Sequence, residues 1–359
     1  MTTVMIESVE QLQEVVRSTT RLAPRGGGSK SALSSAPDDA TVLDLRGLSG
    51  MVEYEPGEFT FTARAGSPIT EIAAQLAEHG QTLPWDPPLV EAGATLGGAI
   101  AAGLNGPGRQ RYGGVRDFLI GARFVDGQGQ LVRGGGKVVK NAAGFDLPKL
   151  MVGSLGRLGI LTEVSFKVFP RPLAYCSVRA QFTGLSEISA VLTRLACAPF
   201  DIEALDITAE DATVWLRIGG LPDVLAERAQ RLISFLGKGD VVAPEEDERF
   251  WRGQREFTWL PAGWSLVKTP INLRSLAVLD AELAVTDAIR RYSVGGNLAW
   301  IGWPTALNDL HALLVRLKLA GLAVLGSSPQ PLIGVYSGQE MLRRVKSALD
   351  PQSRFLSFD

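Results

Sequence analysis

The chain has 359 residues, of which 45% are hydrophobic and 21% charged, with a net charge of −2. That balance describes a folded chain of two domains and excludes a disordered one, and with no dense Lys/Arg stripe it argues against nucleic acid as a partner. Cys176 and Cys197 are the only cysteines and His79 and His311 the only histidines, which excludes a cysteine-ligated iron–sulfur cluster and a His-rich metal site within the chain.

The opening segment MTTVMIESVEQLQE lacks the basic and apolar regions of a signal peptide. Ser8 and Gln11 are spaced as a capping box for an amphipathic helix running to about Ser18. The loop PRGGGSK (24–30) follows, then strand patterns at 41–46 and 59–65. Ser67 and Pro68 read as N-cap and first residue of a helix over 69–78, closed by Gly80. A glycine-dense run from Asp86 to Asp117 comes next, with helical potential in TLGGAIAAG. FLIGARFVD and QLVRG flank an Asp126–Gly129 turn and predict a hairpin. After NAAGFDLPKLMVGSLGRLGILT (141–162), ILTEVSFKVFP reads as a strand ended by Pro170, and residues 171–173 mark a boundary.

Beyond it the texture changes to alternating strands and helices. Strands are predicted in AYCSVRAQF, ATVWLRIGG and LAWIGW, and helices near 185–197, 222–236, 305–321 and 338–349. This second half reads as α+β with an antiparallel sheet. The apolar run at 310–326 is broken by Arg316 and Lys318, so no membrane span is expected.

Glycine makes up 40 of the 359 residues, and the excess lies before residue 160. Bare backbone can approach a ligand closely, and three such loops in one domain point to one large anionic ligand. A Walker A loop is ruled out because Ser29 stands where Gly should precede Lys30. Gly103, Gly106 and Gly108 have the wrong spacing for a Rossmann fingerprint.

PRGGGSK, ATLGGAIAAG with RYGGVRD, and AGFDLPKLMVGSLGRLGILTEVSFKVFP occur in an order that resembles the FAD-binding domain of the vanillyl-alcohol oxidase / p-cresol methylhydroxylase family over roughly residues 5–172. Within that family, VVKNAAGFDLPKLMVGS is most similar to the FAD-binding subunits of bacterial glycolate oxidase (glycolate dehydrogenase). The resemblance implies an α+β fold: a two-subdomain FAD-binding domain (1–172), a smaller antiparallel α+β cap (173–330) and a C-terminal segment (331–359) packing back on the first domain. It implies FAD as a non-covalent cofactor, since no His, Cys or Tyr stands in the first loop.

The residues expected at the cofactor fall into four groups. Pro24, Arg25, Gly26, Gly27, Gly28, Ser29 and Lys30 form the first, with main-chain N–H groups of 25–29 as an anion nest. Asp86, Pro87, Ala94, Thr95, Gly97, Gly98 and Ala101 form the second, with Thr95, Gly97 and Gly98 at a helix start that favours the pyrophosphate. Gly113, Gly114 and Asp117 shape a turn beside the flavin, and Gly159 and Ile160 lie towards the adenine or ribose. Side chains at Gly97 or Gly98 are expected to collide with the phosphates.

Oxidation of a 2-hydroxy acid needs a hydride acceptor, a base and a cation for the carboxylate. Relatives of this type commonly place a His-rich metal cluster in the second domain, which two isolated histidines do not provide. Arg109, Arg111, Lys268 and Arg274 are candidate clamps, each more readily read as a solvated or structural cation. Trp251, Trp259, Trp264, Trp300 and Trp303 read as cap core or interface, and Asp146 as structural. The tail LDPQSRFLSFD keeps Asp350-Pro351 and Phe355 of the family's closing turn but lacks its glycine-arginine part.

The expectation is therefore a cytoplasmic FAD-binding subunit of a multi-subunit glycolate dehydrogenase, at the inner membrane only through partners. A catalytic flavoprotein subunit and an iron–sulfur subunit would supply substrate activation and electron uptake. The alternatives are a self-sufficient FAD oxidase of another hydroxy acid or sugar alcohol, and a flavin-free assembly subunit. An enolpyruvyl reductase on the same fold fits 141–162 less well.

Overall fold

The computed structural model describes residues 2–136, 145–328 and 330–358. Positions 137–144, which include the start of the 141–162 stretch, lie outside the described residues. The chain divides into two units, one of residues 1–105, 114–171 and 337–359, the other of 106–113 and 172–336.

In the first unit, Ser8 Oγ accepts from the Gln11 N–H at 3.1 Å and starts the helix Val9–Ser18, which buries Leu12 and Val16 one turn apart. The return half of the box is displaced by one residue: Gln11 Oε1 accepts from the N–H of Glu7, not of Ser8. That helix connects the parallel strands Thr3–Met5 and Leu22–Arg25, which flank Thr41–Asp44 in a three-stranded sheet. A five-stranded antiparallel sheet follows the order Met51–Glu55, Thr60–Arg64, Ile160–Lys167, Leu119–Val125, Leu131–Gly135. The last two strands are the expected hairpin, and Asp126 Oδ1 holds its tip by accepting from Gln128 N and Gln130 N, both at 2.9 Å.

One cap differs from expectation. The helix is Ile69–Ala77 and Pro68 occupies its N-cap position. The Ser67 hydroxyl, fully buried, instead donates to Arg64 O at 2.7 Å and accepts from Gly50 N at 2.9 Å, so it ties two turns together and caps nothing.

The C-terminal helix Gln339–Leu349 and the tail behind it belong to this unit. Buried Asp350 accepts from Arg354 N and Phe355 N, both at 2.9 Å, and from Lys346 Nζ at 2.5 Å. This turn lays Phe355 alongside Leu22 in a parallel bridge, with Leu22 N donating to Arg354 O at 2.7 Å. Phe355 is buried among Leu22, Leu43 and Ile160.

The second unit is built on a nine-stranded, wholly antiparallel sheet. Leu298–Trp303 pairs with Ile289–Ser293 on one side and Ser265–Pro270 on the other, and all six of its residues are buried. Helices Leu185–Ala196, Pro222–Leu236 and Leu273–Leu283 each bury an apolar stripe in this unit. The helix expected over 305–321 is Asn308–Arg316; Lys318 then takes a left-handed φ of 56° and Ala320–Leu325 is a strand. Trp251, Trp300 and Trp303 are buried in this unit, with Trp251 Nε1 donating to Ser177 Oγ at 2.8 Å. Trp259 and Trp264 are half-buried.

Candidate functional site

Strand Leu22–Arg25 is anchored by Leu22 and Ala23 in the apolar interior and delivers the chain into residues 26–30. The first two glycines of this loop are demanded by its neighbours. A Cβ on Gly26 would overlap the Thr95 hydroxyl, and one on Gly27 would overlap the Gly93 carbonyl oxygen. Gly28 has φ +70°, where a side chain is strained. Lys30 closes the loop, its carbonyl accepting from Leu33 N at 3.0 Å and Ser34 N at 2.9 Å.

The second wall is helix Leu96–Ala102. Thr95 caps it by accepting from Gly98 N at 3.3 Å. The third wall is the turn 153–156, whose Gly153 N and Leu155 N donate to Ile100 O (3.0 Å) and Ala101 O (2.8 Å) of that helix. From there the chain passes through Gly159 into strand Ile160–Lys167.

These walls line a cleft that opens to solvent. Pro24 through Lys30, Thr95, Gly97, Gly98, Ala101, Gly159 and Ile160 all line it. Asp86, Pro87, Ala94, Gly113, Gly114 and Asp117 do not. Asp86 sits in a turn at φ 52°, Pro87 is buried, and the Ala94 carbonyl accepts from Ile69 N at 2.9 Å. Asp117 Oδ2 accepts from Gly114 N at 2.7 Å to start the short helix Val115–Phe118, and Gly113 takes φ 90°. Of these six, Asp86, Gly113, Gly114 and Asp117 shape turns.

Sequence reasoning missed Leu33, Ser34, Leu45, Ala65, Leu155 and Gly156, which also line the cleft. Leu45 and Ala65 carry no local signal, being ordinary residues at strand ends. Gly156 did carry one, as a glycine within the run at 141–162; its φ is +71° and a Cβ there would lie 2.5 Å from Pro24 Cγ. Gly97 plays a different part from the one expected. A Cβ there would sit 2.8 Å from Ala65 Cβ and 2.9 Å from Ala65 O, within the protein. At Gly98 the Cβ would meet only Thr95 Oγ1, at 3.1 Å.

Among the described residues, the ionisable ones lining the cleft are Arg25 and Lys30, both basic. Beside it, Asp44 is held by Arg46 through Nε–Oδ1 (3.0 Å) and Nη2–Oδ2 (2.6 Å). The Arg46 hydrogen bond keeps this carboxyl below its usual range against the opposing cost of burial, and the Arg25 charge adds to the effect.

The remaining candidates have structural or separate places. In the second unit, Arg111 pairs with Asp201 at 2.9 Å and Glu203 at 3.1 Å, while Arg274 is exposed. Arg109 is exposed, and Lys268 is half-buried on strand Ser265–Pro270, where desolvation and then the Arg109 charge push its ammonium down to about 8. His79 meets the Tyr54 ring edge-on at 5.3 Å, and His311 Nδ1 accepts from Gly334 N at 3.1 Å. Asp146 caps helix Leu147–Met151, accepting from Lys149 N at 3.2 Å. No group of three or more His, Cys, Asp or Glu able to hold a metal occurs among the described residues.

A cleft walled by glycine backbone, small and apolar side chains and two cations, with no carboxylate on its lining among the described residues, fits an elongated dinucleotide with a diphosphate between ring systems. Its fold and cleft are those of an FAD-binding oxidoreductase. A family model described as an FAD binding domain matches residues 2–135. Glycolate oxidase subunit GlcE of Escherichia coli (strain K12) is 37% identical over 310 residues, covering 85% of this chain and 82% of that protein, and the chain belongs to this family. Glycolate oxidase subunit GlcD of Bacillus subtilis (strain 168) is 26% identical over 327 residues, covering 81% and 68%. A solved alkyldihydroxyacetonephosphate synthase shares the fold, with a TM-score of 0.72, 18% identity and coverage of 98% of this chain and 74% of the other. Among the described residues no helix is long and apolar enough to cross a membrane.

Proposed function

We propose that this chain is the FAD-carrying subunit of a complex that oxidises glycolate to glyoxylate, with substrate activation and electron uptake supplied by partner subunits. The observation that carries it is the convergence of the three glycine loops on one cation-lined cleft, joined to 37% identity with a glycolate oxidase subunit. Non-covalent FAD would lie along this cleft, main-chain N–H groups of residues 25–29 facing its diphosphate. Bound FAD supplies hydride acceptance; the chain's own residues bind it, orient it and exclude water.

The two histidines support the division of labour, because each is occupied within its own unit, on Tyr54 and on Gly334. A catalytic flavoprotein subunit and an iron–sulfur subunit are the partners this reading requires, and it places the chain in the cytoplasm, at the inner membrane only through them. Co-purification from native cells with iron and metal assay tests it. Recovery of a flavin- and iron-containing assembly active on glycolate is expected. A solitary chain with full glycolate activity would overturn the division of labour.

A further inference from the structure

Two walls of the cleft meet at a seam. Pro24 of strand Leu22–Arg25 and Gly156 of the 153–156 turn both line the cleft, and a Cβ on Gly156 would lie 2.5 Å from Pro24 Cγ. Strand and turn therefore touch with no room for a side chain between them. The tail Arg354–Phe358 has contacts on both sides of this seam. Arg354 O accepts from Leu22 N at 2.7 Å, and Phe355 pairs with Leu22 in a parallel bridge. One residue on, half-buried Leu356 packs on the cluster of Ala23, Ala40 and Val42. Half-buried Phe358 then presents its ring to Arg157, whose Cζ lies 5.3 Å from the ring centre. Arg157 stands between Gly156 and Gly159, two residues of the cleft lining.

The root of the tail is firm, since Phe355 is buried and the Asp350 turn fixes it through three hydrogen bonds. Beyond the root the grip is lighter, a leucine and one ring face. A segment held in this way opens locally at a small fraction of the cost of global unfolding. We propose that residues 354–358 are a clasp across the seam, closed by the Phe358 ring on Arg157, that holds strand and turn together around bound FAD and slows its departure. This role rests on FAD as the occupant of the cleft. It goes further by assigning cofactor retention to Phe358 and Arg157, a positioning pair outside the cleft lining.

The test compares wild type, Phe358→Ala and Phe358→Tyr as full chains, FAD-loaded for release and flavin-free for uptake and urea unfolding. Flavin fluorescence follows release on dilution and uptake on mixing. Phe358→Ala should release FAD roughly 3- to 30-fold faster, the size of one cation–π contact. Its association rate should at least equal that of wild type, and its urea midpoint should stay close to it. Phe358→Tyr keeps a ring for Arg157 and should restore slow release. Release from Phe358→Ala within twofold of wild type overturns the proposal and leaves the FAD reading standing. Slower association with a lowered urea midpoint also overturns it, because the tail then only supports the strand. A wild-type chain that takes up no FAD overturns the FAD reading and this inference together.

Discussion

Glycines 97 and 98 sit side by side at the same helix start and do different things. A side chain at Gly97 meets Ala65 backbone and Cβ inside 3 Å, so Gly97→Val is an overpacking change expected to cost about 1–3 kcal/mol. Gly98 lines the cleft, and its Cβ direction is open apart from Thr95 Oγ1. Gly98→Ala should therefore leave the unfolding midpoint of the cofactor-free chain nearly unchanged while lowering FAD affinity at least tenfold; equal loss of stability in both variants, read by urea unfolding, would contradict this. Asp44 gives a residue-scale pH test. Its folded carboxyl is held below its ordinary value by the Arg46 hydrogen bond, so its contribution to stability is present above about pH 4 and is lost as pH falls through the folded value. Asp44→Asn should be less stable than wild type at pH 7, and the gap should close below pH 4. A gap that persists at low pH would mean that the loss is one of packing.

At the scale of elements, the C-terminal tail is the clearest structural dependency. Asp350 gathers three donors, Phe355 is 2% exposed beside Leu22, and Leu22 opens the strand that delivers the 26–30 loop. Phe355→Ala should cost about 3–5 kcal/mol by thermal or urea unfolding and weaken FAD retention with it; a cost below 1 kcal/mol would show that the strand stands without the tail. The hairpin tip is tied to the same turn, since a Cβ on Gly127 would overlap Asp350 and Gly127 N donates to Leu349 O at 2.8 Å. Much of this was legible in sequence where the signal is local. The capping residue Ser8, the hairpin turn at Asp126 and the alternating Thr60–Arg64 strand announce themselves within a few residues. Leu45 and Ala65 reach the cleft only because distant strands and loops pack together, which no local pattern records. Ser67 misled for the opposite reason: a residue with strong capping preference was recruited by the turns at Gly50 and Arg64. The helix assigned through 321 failed because the apolar run LAGLAVL suits a buried strand as well as a helix, and the left-handed Lys318 decides between them.

For the whole molecule, the chain combines an FAD-binding domain with a second unit in which one candidate clamp and three of the tryptophans are bound up in its own structure. Arg111 is committed to Asp201 and Glu203, and the tryptophans Trp251, Trp300 and Trp303 to the interior. FAD at 100 times its dissociation constant should raise the apparent stability of the isolated chain by about 2.7 kcal/mol, measurable as a shift of the unfolding midpoint. No shift with saturating FAD would place the flavin elsewhere in the complex. The most direct test of the central claim is the visible spectrum of the isolated, FAD-loaded chain mixed anaerobically with glycolate. Oxidised flavin bands should be present and should persist, bleaching only when the partner subunits are added. Prompt bleaching of the solitary chain, or a correctly folded chain that acquires no flavin bands, would contradict the account.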